Sequence, residues 1–186
     1  MGDFNIFHHM PWSSAYSIYF FTIGISAALF FMSTLSWYRA EFRTLRASAF
    51  YLSFVLLAVS GLLLIGDLSR PARFLNIMNP AYLQFTSPLA WGGLNLLAFG
   101  AVSVAYFFMM RKNDDGMSRK LAVVGSLLAL GLPIYTGFDL TVHQNRPVWN
   151  TPLMPILFVA LSLVSGAAVA SFLAKKKKKL LVMLRS

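Results

Sequence analysis

The sequence predicts an all-α membrane protein of about five transmembrane helices, built as a four-helix bundle plus one flanking helix. Of the 186 residues, 58% are hydrophobic and only 12% are charged, which is far too apolar for a soluble domain of this length. The chain also contains several apolar runs of about 20 residues, the length that crosses a bilayer as a helix. Basic residues collect between alternate runs, as they do on the cytoplasmic side of membrane proteins. These observations predict a single integral membrane domain covering residues 1–186.

Five apolar runs satisfy this length requirement, and the fourth is the shortest. Pro133 falls inside the fourth run, where its missing N–H and its ring should kink the helix next to Tyr135 and Gly137. Small residues recur in the first, third and fifth runs, so we expect those helices to approach their neighbours closely. The predicted helices cover about residues 15–37, 49–66, 88–110, 121–138 and 152–174.

The distribution of basic residues predicts the orientation of the chain. Away from the basic clusters, the helix ends carry only Arg70, Arg73 and Arg146. Because loops rich in lysine and arginine stay in the cytoplasm, we expect the amino terminus outside and the carboxyl terminus inside. The protein would lie in the inner (cytoplasmic) membrane of the cell, with its polar outer ends facing the periplasm. The basic clusters are Arg39, Arg43 and Arg46; Arg111, Lys112, Arg119 and Lys120; and residues 175–179 with Arg185.

Composition also argues against several functions. The formal net charge of +10 comes from basic residues that flank apolar runs, so it indicates contacts with lipid headgroups and no nucleic-acid partner. The sequence has no cysteine, so it can hold neither an iron–sulfur cluster nor a disulfide. Membrane anchors that carry haem b supply paired histidines from within helices, whereas His8, His9 and His143 lie at or beyond helix ends. We therefore expect no haem and no metal site in this chain.

Polar residues gather at the outward ends of the predicted helices. In the run from Gly66 to Phe74, the Asp67 carboxylate is followed by the guanidinium groups of Arg70 and Arg73. The three-residue spacing allows Asp67 to pair with Arg70. Ionisable residues within a membrane are functional candidates by default, because each costs roughly 2.5–3.5 kcal/mol at the centre of a helix. The alternative is a helix-end ion pair whose arginines only contact lipid phosphates.

A second run, from Tyr135 to Asn150, combines a phenol, a carboxylate, an imidazole and a guanidinium, the last from Arg146. If the helix continues through it, Tyr135, Asp139 and His143 recur every four residues and share one face. That spacing suits a proton relay leading out of the membrane, because Asp and His can exchange protons and a phenol can hydrogen-bond a carbonyl. Quinone reduction requires such groups, since two electrons move together with two protons.

These runs resemble those of the NrfD-like family, the quinol-handling membrane subunits of polysulfide reductase and related molybdenum oxidoreductase complexes. The resemblance extends from Tyr16 to about Ala174, and its motifs keep their order at outward helix ends. Family members commonly carry a second set of helices, so the resemblance implies a short form whose missing half is supplied by another membrane subunit or is dispensable. The matching motifs are Gly66-Asp67 with Arg70-Pro71-Ala72-Arg73-Phe74, Thr86-Ser87-Pro88 with Trp91-Gly92, Tyr135 with Gly137, and Asn145-Arg146-Pro147 with Trp149-Asn150.

The resemblance implies a function in electron transfer. The subunit would exchange electrons between membrane quinone, either menaquinone or ubiquinone, and a four-cluster ferredoxin-like iron–sulfur subunit that serves a molybdopterin catalytic subunit. Tyr135 would hydrogen-bond a quinone oxygen, while Asp67 and Asp139 would take or deliver protons. The first helix would contribute Tyr16 or Tyr19 to the pocket. The remaining quinone-site candidates are His143 and, at the outer polar rim, Arg70, Arg73 and Arg146.

Two other functions are alternatives to this one. A purely structural anchor would use the small-residue helices and the outer arginines to hold an extracytoplasmic redox complex to the membrane. A small transporter would need ionisable residues near the bilayer midplane and an internal repeat, and the sequence has neither feature. The sequence also contains no recognisable nucleophile–base pair, so we expect no catalytic residue in this chain.

Overall fold

Long α-helices account for most of the computed structural model, which describes residues 14–67, 88–142 and 149–183. Five helices in these ranges are long and apolar enough to cross a membrane, and no strand occurs in them. The all-α membrane fold predicted from the sequence is therefore confirmed. A short 3₁₀ helix, Ala40–Leu45, joins the first two helices. The α-helices are α1 (Ser14–Leu35), α2 (Arg46–Asp67), α3 (Pro88–Arg111), α4 (Asp115–Thr141) and α5 (Leu153–Met183).

Helix α4 is longer than its apolar run, because it begins at Asp115. Its start is fixed by Asp114, whose side-chain oxygen accepts a hydrogen bond from the Met117 amide at 2.9 Å. Arg119 and Lys120, expected in the connecting loop, instead lie in the second turn of this helix. Hydropathy alone misses such a turn, since a capped helix continues into the polar region beyond the hydrocarbon.

Helix α1 is the central helix and contacts α2, α4 and α5. Of the described spans, α1 is the most buried and α5 the least. Helices α2 and α3 meet through the stacked rings of Phe54 and Phe107, whose centroids lie 6.0 Å apart. Helix α3 in turn packs on α4. Helices α1 to α4 therefore close a four-helix bundle, and α5 flanks it against α1 and α4.

Hydrogen bonds between α1 and α4 establish that these helices run antiparallel. The Tyr16 hydroxyl donates to Asp139 near one end of the pair. The Thr34 hydroxyl donates to the Ala122 carbonyl near the other end, at 3.0 Å. The end of the bundle where α1 begins and α4 finishes is termed the tyrosine end. The opposite end, where α1 passes through the 3₁₀ helix into α2, is termed the arginine end.

Helix α5 runs parallel to α1 and touches it through small residues. A Cβ added at Gly24 would lie 2.5 Å from the Ser162 hydroxyl oxygen. One turn further along both helices, a Cβ added at Gly166 would overlap Ala28. Small side chains at both levels therefore let α5 approach α1 closely, which favours van der Waals packing in a bilayer.

Buried aromatic rings fill the interior between the middle of the bundle and the arginine end. Phe30, Phe50, Phe99 and Tyr106 are all inaccessible to solvent. Phe50 meets Tyr106 edge to face, with ring centroids 4.8 Å apart. Gly125 on α4 makes room for this cluster, because a Cβ there would lie 2.5 Å from the Phe30 ring. The interior is therefore densely packed with aromatic rings from the middle of the bundle to the arginine end.

Candidate functional site

The tyrosine end holds a buried carboxylate. Asp139 lies in the last turn of α4 and is only 8% exposed. The Tyr16 hydroxyl, from the first turn of α1, donates a hydrogen bond to Asp139 Oδ2 at 2.7 Å. A carboxylate removed from water is costly unless hydrogen bonds satisfy it. This hydrogen bond therefore stabilises the buried Asp139 carboxylate and also joins the start of α1 to the end of α4.

A second pair of side chains lies about one helical turn deeper in the bundle. Tyr19 and Tyr135 share a hydrogen bond between their hydroxyl groups, and either hydroxyl can be the donor. The rings of Tyr16 and Tyr19 lie 5.7 Å apart between centroids. On each helix the two residues are three or four positions apart, so they share the face that α1 and α4 turn toward each other. The four residues Tyr16, Tyr19, Tyr135 and Asp139 are termed the tyrosine cluster.

Two glycines allow neighbouring helices to pack closely around the tyrosine cluster. On α3, Gly92 faces the ring so closely that an added Cβ would overlap it. On α4, Gly137 packs against the backbone of Pro155 at the start of α5, and a Cβ there would overlap the proline Cα. Neither position can take a side chain unless its neighbour moves. The tyrosine cluster is therefore positioned by contacts from α3 and α5 as well as by its own hydrogen bonds.

An apolar groove between α1 and α5, termed the α1–α5 groove, opens beside the tyrosine cluster. Its cavity has a volume of about 270 Å³. The Phe20 ring, in its wall, lies 4.7 Å from the Tyr16 ring and 5.6 Å from the Phe158 ring, both between centroids. The groove also borders Phe21 and Leu161, which are largely exposed. It therefore leads from the cluster toward the outer surface of the helices.

The structure brings together four of the residues that the sequence proposed for a quinone site. Tyr16, Tyr19, Tyr135 and Asp139 come from opposite halves of the protein and form one connected cluster. Asp67 is the last residue of α2, so its backbone ends that helix at the tyrosine end. The other candidates lie outside the described residues: Arg70, Arg73, His143 and Arg146.

Sequence reasoning missed two contributors to this site. Phe20 was not singled out, although Tyr16, Tyr19 and Phe20 are spaced as one aromatic face of a helix. Gly92 was expected only as one of the small residues of the third helix and as part of a motif, and its close approach to the Tyr135 ring depends on how α3 packs on α4. Spacing within a helix was therefore a usable signal for Phe20, whereas no local signal identifies the partner of Gly92.

The cluster offers hydroxyl groups and one carboxylate in apolar surroundings. A phenol hydroxyl can donate a hydrogen bond to a carbonyl oxygen and can also accept one from a hydroxyl, so it can bind a ligand that carries either group. Asp139 adds an acceptor that can take a proton passed through the Tyr16 hydroxyl. In the part of the chain that the structure describes, no three histidine, aspartate or glutamate side chains are grouped to hold a metal ion. The arrangement can therefore bind a polar ring and exchange a proton with it.

Comparison with known proteins identifies the family. A family model described as polysulphide reductase, NrfD, matches residues 4–180. The chain belongs to the NrfD polysulphide reductase family. The resemblance expected from the ordered motifs is therefore confirmed.

Individual relatives within the NrfD family extend over most of this chain. The C component of polysulfide reductase from Wolinella succinogenes is 27% identical over 188 residues, which cover 89% of this chain and 58% of that protein. Protein NrfD of Escherichia coli is 28% identical over 192 residues, which cover 88% and 59% of the two proteins. The C component of tetrathionate reductase from Salmonella typhimurium is 29% identical over 153 residues, covering 79% and 44%. The chain spans about half the length of the curated relatives it matches.

Proposed function

We propose that this NrfD-family protein binds a membrane quinone at the tyrosine cluster. It would pass electrons between the quinone pool and an iron–sulfur subunit of a multi-subunit molybdopterin oxidoreductase. The observation that carries the proposal is the buried pairing of Tyr16 with Asp139 and of Tyr19 with Tyr135 at one end of a bundle of spanning helices. Ionisable groups are expensive in such a position and mark functional sites by default.

The cluster supplies what a quinone headgroup requires. Oxidation of a quinol releases two electrons and two protons, and reduction of the quinone takes up the same number. Tyr135 would hydrogen-bond a quinone oxygen by exchanging its bond to Tyr19. Asp139 would accept or return a proton through the Tyr16 hydroxyl. The quinone is either menaquinone or ubiquinone, since nothing in the cluster distinguishes their rings.

The remaining candidates would extend this path outward. Asp67, at the end of α2, is proposed as a second residue that takes or delivers protons. Arg70, Arg73 and Arg146 are proposed as an outer polar rim, and His143, two residues after the last residue of α4 in the sequence, is proposed as a further quinone-site residue. Cationic side chains at that rim would stabilise the negative charge that develops on a quinone during electron transfer.

The α1–α5 groove suits the isoprenoid tail of a quinone. The groove is mostly apolar, and it begins at Phe20, whose ring contacts Tyr16 of the cluster. A headgroup at the cluster and a tail in the groove would keep the polar ring and the hydrocarbon tail each in matching surroundings. The quinone would therefore reach the cluster from the bilayer without crossing water.

The names of the relatives support a place in a reductase complex. The Wolinella and Salmonella relatives are, by name, components of polysulfide reductase and of tetrathionate reductase. For this protein we infer a four-cluster ferredoxin-like iron–sulfur subunit and a molybdopterin catalytic subunit as partners on the periplasmic side of the inner membrane. That is the side predicted for the tyrosine end by the basic residues at the arginine end. A second membrane subunit is also a proposed partner.

A purely structural anchor is the second candidate function. The members of the tyrosine cluster bond to one another, as a lock between α1 and α4 would. An anchor of this kind would hold the redox complex to the membrane without touching quinone. The two functions make different predictions for variants that remove a single hydroxyl group.

The deciding experiment compares Tyr135→Phe with Tyr51→Phe in the purified complex. Tyr51 is 43% exposed on α2, and its hydroxyl makes no hydrogen bond within the described residues. Each variant is titrated with a fluorescent quinol-site inhibitor, and quenching gives the dissociation constant. Loss of one hydrogen bond should weaken binding about 5- to 10-fold in Tyr135→Phe and leave Tyr51→Phe like wild type.

The experiment also tests the anchor directly. If Tyr135→Phe assembles normally and binds the inhibitor as tightly as wild type, the quinone does not use this cluster. Activity with an artificial electron donor, measured in the same preparations, shows whether assembly and the partner subunits are intact.

A further inference from the structure

The arginine end carries a polar pocket that takes no part in the proposed quinone chemistry. Its volume is about 450 Å³, and it lies where α1 turns into α2 beside the first residue of α4. This position is at the opposite end of the bundle from the tyrosine cluster. The lining residues are Trp37, Arg43, Thr44, Arg46, Ala47 and Asp115.

Arg46 is held in place before any ligand arrives. Its Nε donates to the Ser36 hydroxyl oxygen at 3.1 Å, and one terminal nitrogen donates to the Ser36 carbonyl at 3.4 Å. The guanidinium carbon lies 3.5 Å from the centroid of the Trp37 ring, in a cation–π contact. These contacts use two of the five N–H donors of the guanidinium, so others remain for a ligand.

The Trp37 ring, on which Arg46 stacks, is itself fixed to the core. Trp37 Nε1 donates to the Tyr106 hydroxyl at 3.0 Å, and Tyr106 is completely buried. The Ser33 hydroxyl lies 3.4 Å from the same Tyr106 oxygen. A guanidinium supported in this way loses little freedom when it binds an anion, which favours affinity.

The charges around the pocket favour a singly charged phosphate diester. Arg43 and Arg46 supply two cations, and Asp115 supplies one anion. A guanidinium pair binds phosphate oxygens strongly, in the planar geometry that arginine offers. The Asp115 carboxylate would repel a free phosphate dianion but can accept a hydrogen bond from a headgroup hydroxyl.

An exposed apolar stripe leads away from the pocket along α2. Ala47 lines the pocket, and exposed side chains follow it at steps of four residues through Tyr51, Val55 and Val59, in a stripe that winds gradually around α2. These three side chains are 43%, 56% and 40% exposed. A ligand whose phosphate occupied the pocket could therefore place a hydrocarbon tail along the stripe. A free anion has no such tail.

We propose that this pocket is a specific site for an anionic phospholipid, with the phosphate on Arg43 and Arg46 and an acyl tail along α2. Phosphatidylglycerol is the probe of choice, because it has one phosphate charge and hydroxyl groups that can reach Asp115. Basic pockets beside transmembrane helices bind such headgroups in the interfacial region. The site is separate from the tyrosine cluster, so it does not depend on the proposed quinone function.

The test compares Arg43→Gln with Arg39→Gln in the full-length protein. Both arginines are exposed on the turn between α1 and α2, and Arg39 does not line the pocket. The two variants remove the same charge from the same membrane face, which makes them a matched pair. Each protein is purified in mild detergent with added phosphatidylglycerol, and retained lipid is counted by native mass spectrometry. Phosphatidylcholine serves as the neutral comparison.

We expect wild type and Arg39→Gln to retain phosphatidylglycerol selectively, and Arg43→Gln to retain at least fivefold less. Adding inorganic phosphate at millimolar concentration should not displace the lipid. Equal retention by the two variants would overturn the proposal, because charge alone would then explain binding. Displacement by inorganic phosphate would also overturn it, since the pocket would be a site for a free anion.

Discussion

The two ends of the bundle use similar side chains in different ways. At the tyrosine end, the Tyr16 hydroxyl meets the buried carboxylate of Asp139. At the arginine end, Trp37 Nε1 donates to the Tyr106 hydroxyl, and the half-buried Arg46 stacks on the Trp37 ring. In the roles proposed above, the acid shielded from water would exchange a proton with a bound ligand, whereas the guanidinium near the surface would hold an anion in place. The degree of burial of the charged group therefore distinguishes the two proposed sites.

Ser26 and Ser53, in the middle of the bundle, differ from the residues at both ends because they satisfy each other with hydrogen bonds between uncharged groups. Ser26 donates to the Ser53 carbonyl at 2.7 Å, and Ser53 donates to the Ser26 carbonyl at the same distance. These reciprocal bonds join α1 to α2 and involve no ionisable group. Of the four substitutions below, we therefore expect only the two at the tyrosine end to change quinone-linked function.

The largest effect is expected from Asp139→Asn. The amide oxygen can still accept the hydrogen bond from Tyr16, so the helix contact should persist while the proton acceptor is lost. Quinol-linked turnover of the assembled complex should fall about 100-fold, the lower limit for loss of a general acid–base group. Glu41→Gln is the control, because it removes an exposed acid at the arginine end. Similar turnover in the two variants would remove Asp139 from the proton path.

The next largest effect is expected from Gly92→Ala. The added methyl group would overlap the Tyr135 ring and force it away from Tyr19. Overpacking of this kind costs about 1–3 kcal/mol of unfolding free energy, measured by denaturation in mixed micelles. Binding of the quinol-site inhibitor should weaken in parallel. Gly100→Ala on the same helix is the control, since a Cβ there meets no atom within 4 Å; equal behaviour of the two alanine variants would contradict the close packing.

A smaller effect, on stability and not on quinol-linked turnover, is expected from Tyr106→Phe. The substitution removes the acceptor for Trp37 Nε1, so the unfolding free energy should drop by about 1 kcal/mol. Quinol-linked turnover should not change, because Tyr106 lies far from the tyrosine cluster along α3. Tyr38→Phe is the control for loss of an exposed hydroxyl. A fall in turnover with Tyr106→Phe would mean that the two ends of the bundle are coupled.

The smallest effect is expected from Ser53→Ala in the middle of the bundle. The substitution removes the hydrogen bond from the Ser53 hydroxyl to the Ser26 carbonyl and its 3.2 Å contact with the Ser26 hydroxyl. Side-chain hydrogen bonds inside membranes average about 0.6 kcal/mol, so the unfolding free energy should fall by an amount of that order. Ser171→Ala is a suitable reference, because its hydroxyl bonds only within α5. Equal unfolding free energies for the two variants, measured by denaturation in mixed micelles, would contradict a contribution from the hydrogen bonds between α1 and α2.

The sequence predicted the number of spans well because hydropathy over about 20 residues is a strong signal. It was less informative at helix ends, where α4 begins at Asp115 because of the Asp114 cap. Polar residues in a capped turn, such as Arg119 and Lys120, have the same local composition as a loop. Hydrogen bonding at the cap decides between these two states, and hydropathy does not report it.

The candidate site was predictable in part. Tyr135 and Asp139 share one face of a helix by spacing alone, and both lie in the tyrosine cluster. The first helix was expected to contribute Tyr16 or Tyr19, and the structure places both in contact with α4. The pocket around Arg46 was not predicted, because its basic residues were interpreted only as signals of topology and lipid contact.

By itself, the sequence determined that this is an all-α membrane protein of the NrfD family, with its charged residues gathered near the helix ends. Those properties follow from the composition of each segment and from the spacing of residues along it, and neither depends on contacts between distant segments. Only the tertiary structure decided which groups meet: that Tyr16 reaches Asp139, that Gly92 faces Tyr135 and that Arg46 lies on Trp37. Such pairings depend on the register and the closest approach of helices distant in sequence, and packing of whole helix faces sets both.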